Sequence, residues 1–156
     1  MKPFLAAAAL AAVSLAALPA AAFPIENGIT AVEVAHVLQA KGYKAEVGVD
    51  DEGDPRVKSA ADGTPFSIFF YGCNGGPHCT SLTFQAGFHI DGGLTTAKIN
   101  TWNHEKRFIK GWLDNVNDPY GEMDVDTEAG FTSEALANYI DLWAAQLPVF
   151  KQYIGF

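Results

Sequence analysis

PFSIFFYGCNGGPHCTSLTFQAGF, residues 65–88, reads as two strands joined by a glycine-rich loop that carries both cysteines of the chain. In the second run Leu82, Phe84, Ala86 and Phe88 alternate with Ser81, Thr83, Gln85 and Gly87, the period-two pattern of a strand with one wet and one dry face. The first run, Phe66 to Tyr71, is apolar on both faces except at Ser67, the composition of a central strand, and the pair reads as a hairpin. Cys73 and Cys79 then stand on opposite arms of the loop. A structural disulfide is the favoured reading, and closing so short a loop adds about 2 kcal/mol by constraining the unfolded chain. A redox pair or half of a metal site are the rivals. Redox motifs usually leave two residues between the cysteines, and His78 is the sole further ligand type nearby, so neither a metal nor a cofactor is expected.

Downstream, the Asp91-Gly92-Gly93 break precedes TTAKINTWNHEKR, where Ile99, Trp102 and Lys106 have helical spacing. Asn100 and Asn103 lie three apart on that helix, so their amides are placed either to bind a polar ligand or, more commonly, to bond a neighbouring loop backbone. Phe108–Asp114 and Tyr120–Asp126 read as a second hairpin. With its turn centred on Asn117, Lys110 faces Asp124 and Trp112 faces Glu122, while Ile109, Gly111 and Leu113 lie on the dry side. The final helix begins at Thr132 and carries Leu136, Tyr139, Ile140, Trp143, Leu147, Phe150 and Ile154 at three- and four-residue intervals, with Pro148 expected to kink or interrupt it.

Upstream, Thr30 and Glu33 form a capping box, and Ile29 and Val34 are placed as a hydrophobic staple. Ala31, Val34, Ala35 and Leu38 share a helical face that ends at Gly42. Tyr43, Ala45, Val47 and Val49 then alternate as a strand with a buried side, and a short strand from Arg56 to Ala60 returns after an acidic turn. That turn is no EF-hand, because Pro55 and Ala61 occupy the positions, counted from Asp50, that need Gly and a bidentate Glu. The first residues, MKPFLAAAALAAVSLAALPAAA, combine one lysine, an apolar run and Ala20-Ala21-Ala22, the pattern of a secretory signal cleaved after Ala22. The expected organisation is therefore a signal over 1–22 and one domain over 23–156, exported to the periplasm or the medium, where a disulfide persists.

The chain's formal charge of −8 argues against nucleic acid and against anionic membrane surfaces, both of which need clustered cations. No nucleophile elbow, HExxH, Walker loop or dinucleotide fingerprint is present, so no catalytic residue is assigned and a non-enzymatic role is expected. The competing hydrolase reading would use His78 or His104 with a nearby acid. His36 reads as a solvated surface residue.

Gly42-Tyr43, the run Phe66–Tyr71 into Gly72-Cys73, CTSLTFQAGF (Cys79–Phe88), INTWNHEKRF (Ile99–Phe108) and AGFTSEAL (Ala129–Leu136) together resemble the YbjN-domain family over nearly all of residues 23–156. The resemblance implies an α+β domain like that of type III secretion chaperones, an antiparallel sheet of about five to six strands with three helices packed on it. It also implies a non-catalytic regulatory or protein-binding role, and it supplies no catalytic or cofactor residues. Another protein is thus the expected partner, with Phe69, Tyr71, Asn100, Asn103 and Trp112 as candidate binding-surface residues. A small-ligand pocket between the sheet and the last helix is the alternative expectation.

Overall fold

The computed structural model describes residues 24–25, 28–129 and 131–156. The expected signal, residues 1–22, lies outside them. Element order is β1 (Pro24–Ile25), α1 (Ala31–Ala40), β2 (Glu46–Val49), β3 (Pro55–Ala61), β4 (Thr64–Tyr71), β5 (Ser81–Gly87), α2 (Thr96–Glu105), β6 (Lys110–Leu113), β7 (Pro119–Asp126), β8 (Phe131–Thr132) and α3 (Ser133–Ile154). Six strands form an antiparallel sheet in the order β2-β3-β4-β5-β7-β6, and β1 pairs with β8 in a small second sheet. This is the α+β architecture expected, with β4 and β5 at its centre.

One face of the six-stranded sheet carries the core. Val57, Phe66, Ile68, Phe70, Leu82, Phe84, Ala86, Met123 and Val125 are all buried there, in one cluster with residues of all three helices. Trp143 of α3 is fully buried, with its ring 5.8 Å from those of Phe66 and Phe84. The α3 ring of Phe150 stands edge-on to Trp102 of α2 at 5.0 Å and 6.0 Å from Phe88. These aromatics pack between the sheet and α3, the region in which the alternative expectation placed a ligand pocket. Room for Phe150 comes from a cross-strand glycine pair, Gly111 of β6 opposite Gly121 of β7. A Cβ on Gly121 would lie 3.0 Å from Phe150 ring atoms and from a methyl of Ile109.

Helix α1 starts as its sequence dictates: Glu33 N–H donates to Thr30 Oγ1 and Thr30 N–H to Glu33 Oε2. Helix α3 runs unbroken through Pro148. The proline is exposed, so water can reach the carbonyl it leaves unpaired, while buried Leu147 and Phe150 hold the flanking turns on the sheet.

Two strand expectations are corrected. Strand β2 is exposed throughout, with Val47 at 47% and Val49 at 57%, because it is an edge strand that α1 touches without covering. The β6–β7 register places Lys110 opposite Glu122 and Trp112 opposite Tyr120, two residues from the expected pairing. A two-residue slip keeps every side chain on its face, so the hydrophobic pattern cannot exclude it. The turn decides instead: Asp114 Oδ1 accepts the N–H groups of Val116 and Asp118, and Asp114 N–H donates to the Asp118 carbonyl.

Candidate binding face

The second face of the sheet carries no helix among the described residues, and its side chains follow from the register. Three rows cross it. One runs Glu46, Lys58, Ser67, Gln85, Glu122, Lys110 from β2 to β6; the next runs Gly48, Arg56, Phe69, Thr83, Asp124; a third holds Tyr71, Ser81 and Asp126. Beyond the first row, Trp112 stacks on Tyr120 with ring centroids 4.4 Å apart and planes 15° apart. Tyr120 in turn covers Gly87, where a Cβ would come within 2.4 Å of the ring.

Tyr71 is 52% exposed and Phe69 half-buried, so two neighbouring aromatics project from the sheet's centre into water. Desolvation raises the Tyr71 hydroxyl above its ordinary pKa, helped by Glu122, Asp50, Asp124 and Glu52. The Trp112 ring is half-buried, and its Nε1 finds no hydrogen-bond partner among the described residues. Acids lie to one side: Asp124 accepts the Thr83 hydroxyl at 2.7 Å, and Glu122 accepts Gln85 Nε2 at 3.0 Å. Lys110 Nζ sits 2.7 Å from Glu122 Oε2 and 3.9 Å from Asp124 Oδ2. The hydrogen bond to Glu122 raises the lysine's pKa.

Of the candidate surface residues, Phe69, Tyr71 and Trp112 share this face. Asn100 and Asn103 do not join them. Asn103 accepts the Gly111 N–H at 2.8 Å and donates to the Gly111 carbonyl at 3.0 Å, so its amide completes the hydrogen bonding of edge strand β6, while Asn100 is exposed on α2. Arg56, Lys58 and Tyr120 also lie on this face; the signal for the first two is the alternation of Arg56, Lys58 and Ala60 with Val57, Ser59 and Ala61, and for Tyr120 its alternation with Gly121 and Met123 on β7.

Cys73 and Cys79 form a disulfide. Its loop is anchored beyond the hairpin, since Ile29 and Cys79 exchange backbone hydrogen bonds and Thr127 Oγ1 donates to the Cys79 carbonyl. Gly28 approaches so closely that a Cβ would lie 2.5 Å from that carbonyl oxygen.

The histidines do not converge. His36 and His104 are exposed, and His78 Nδ1 lies 3.4 Å from the Gly28 carbonyl. His89 Nδ1 lies 2.8 Å from Asp118 Oδ2, and that hydrogen bond raises the imidazole's pKa. The Ile90 N–H and then His89 hold the Asp118 carboxyl below its usual range. The pair rims a shallow depression of about 500 Å³ on the helix-free face, lined by Lys58, Pro65, Ser67, Gln85, Gly87 and Tyr120 among others. Among the described residues no three His, Cys, Asp or Glu side chains are grouped to hold a metal ion, and no helix is long and apolar enough to cross a membrane.

Residues 30–155 match the family model YbjN, described as "Putative bacterial sensory transduction regulator". No curated protein matches the chain. Among solved structures, the chain is similar to the Yersinia pestis type III secretion chaperone SycH, crystallised in complex with a stable fragment of YscM2. That likeness has a TM-score of 0.47 and 10% identity, covering 76% of this chain and 97% of the other.

Proposed function

The chain belongs to the YbjN family, and from that premise we propose that it is an exported, non-catalytic protein-binding module that docks its partner on the helix-free face of the six-stranded sheet. The observation that carries this reading is the pair Phe69 and Tyr71, side by side on a central strand with no described element over them. The uncovered face of an antiparallel sheet is ordinarily polar, so aromatics exposed at its centre and ringed by charged side chains have the composition of a docking surface. Export draws its support from the signal-like residues 1–22 and from the disulfide, which is at home outside the reducing cytoplasm.

The test compares the oxidised wild type with Tyr71→Arg as bait against the envelope fraction of the producing cell. A partner retained in stoichiometric amount by the wild type and lost with Tyr71→Arg supports the reading. Equal retention by both removes the face from the function. Fractionation with N-terminal mass determination checks export, which fails if the chain keeps residues 1–22 in the cytoplasm. A second reading, small-ligand binding, is favoured by the depression beside His89 and Asp118. Amide shifts confined to Gly87 and His89 on addition of small carboxylate ligands would support it.

A further inference from the structure

Three pairs of charges on the helix-free face stand with opposite signs at mirror positions of the sheet. The strand order β2-β3-β4-β5-β7-β6 has its midline between β4 and β5. Consider a two-fold axis lying along that midline, parallel to the strands, that brings a second copy face to face with the first. It sets β2 over β6, β3 over β7 and β4 over β5, and it keeps each residue in its own row. From the register, Glu46 then meets Lys110, Lys58 meets Glu122 and Arg56 meets Asp124. Each contact occurs twice, so three pairs of opposite sign become six. Size is matched as well as charge: Phe69 falls over Thr83 and Tyr71 over Ser81, large side chains of β4 against small ones of β5.

We propose that a second copy of this chain is the occupant of the helix-free face, giving a reversible face-to-face dimer with a two-fold axis between β4 and β5. The proposal rests on the docking-face reading above and names its partner. Sheets stack in this way about 10 Å apart in β-sandwiches, close enough for the two sets of side chains to touch. The groups to be paired are available. Lys58 and Glu46 are exposed, the Asp124 side chain is 64% and that of Lys110 58% exposed, and Arg56 is half-buried, whereas the Glu122 side chain is 15% exposed and already held by Lys110 and Gln85, so Lys58 would join that cluster rather than pair with a free carboxylate. Asp126, at the strand end, meets no cation in this arrangement: it falls over Asp54, the residue before β3, a like-charge contact left at the wet rim where water screens it. At the usual strand spacing and rise, the six strands offer about 600 Å² per copy, or about 1,200 Å² in the pair, the lower bound for a specific interface. A dimer of that size with a charged surround dissociates in about the micromolar range and is weakened by salt.

Sedimentation velocity of the oxidised protein over a dilution series provides the test, with circular dichroism confirming that each variant is folded. A monomer–dimer equilibrium is expected, its Kd rising about tenfold from low to high ionic strength. Arg56→Asp and Asp124→Arg each place like charges in contact twice per dimer and should weaken it by about a hundredfold. The charge-swapped double variant R56D/D124R should recover most of that loss, which a fold defect would not. A wild type that is monomeric at every concentration, or a dimer indifferent to both single changes, overturns the proposal. So does a folded double variant no better than its parents. If the wild type is monomeric and Tyr71-dependent capture of another protein persists, the dimer is refuted while the docking face stands.

Discussion

Replacing Gly121 by Ala tests the packing that joins α3 to the sheet. The new methyl would stand 3.0 Å from two Phe150 ring carbons and from Cγ2 of Ile109, inside van der Waals contact on two sides. Neither neighbour has room to retreat, because Phe150 is fully buried with Trp102 edge-on at 5.0 Å, and Ile109 is 3% exposed. Overpacking of this kind costs about 1–3 kcal/mol, and the reduced freedom of the unfolded chain returns roughly 0.4–1 kcal/mol. Gly121→Ala should therefore lose about 1–2 kcal/mol, and Gly121→Val more. Urea unfolding measures this as a lower midpoint at unchanged slope. Adding Phe150→Leu should make room for the methyl, so the double variant should be more stable than the sum of the singles, a coupling of about 1 kcal/mol. A neutral or stabilising Gly121→Ala, or strict additivity with Phe150→Leu, would refute the claim that this glycine exists to seat the ring.

Three other outcomes follow from the fold. Reduction of Cys73–Cys79, or its replacement by serines, should cost about 2 kcal/mol, read from thermal melts with and without reductant; no change would mean the backbone bonds of Cys79 alone hold the loop. Thr30→Ala removes the acceptor for Glu33 N–H and should cost about 1 kcal/mol in urea unfolding, whereas Thr30→Asp should cost little. His89, raised above 6.5 by Asp118, stabilises the fold fully below 6.5 and loses that contribution as pH climbs through its folded value. Asp118, lowered from 3.8, contributes above 3.8 and loses it as pH falls through its folded value. Both contributions are therefore present together between about pH 4 and 6.5, and imidazole NMR titration of Asp118→Asn should bring the His89 midpoint back down.

Residues that act on near neighbours in the chain were legible without a structure. Thr30 and Glu33 cap one turn of helix, Leu82 to Phe88 alternate along one strand, Cys73 and Cys79 close one loop, and the stripe from Leu136 to Ile154 lies along one helix. Each is set by bond geometry over a few residues, so composition and spacing contain the answer. The family motifs are built from the same local pieces, which is why they too could be recognised.

Tertiary structure decided whatever depends on what lies opposite. The alternation of Val47 and Val49 is the same for a covered strand and for an uncovered edge strand, and only the tertiary packing leaves these valines in water. The β6–β7 slip of two residues preserves both faces, so it was settled by the Asp114 turn and by the glycine pair beneath Phe150. Asn103 could have served a ligand or a backbone until the fold brought Gly111 within 3 Å. The same holds for the candidate binding face. That Phe69 and Tyr71 are apolar is written in the chain, but whether they face a helix, water or another protein depends on which side of the sheet the helices take, and a period-two pattern carries no information about that side.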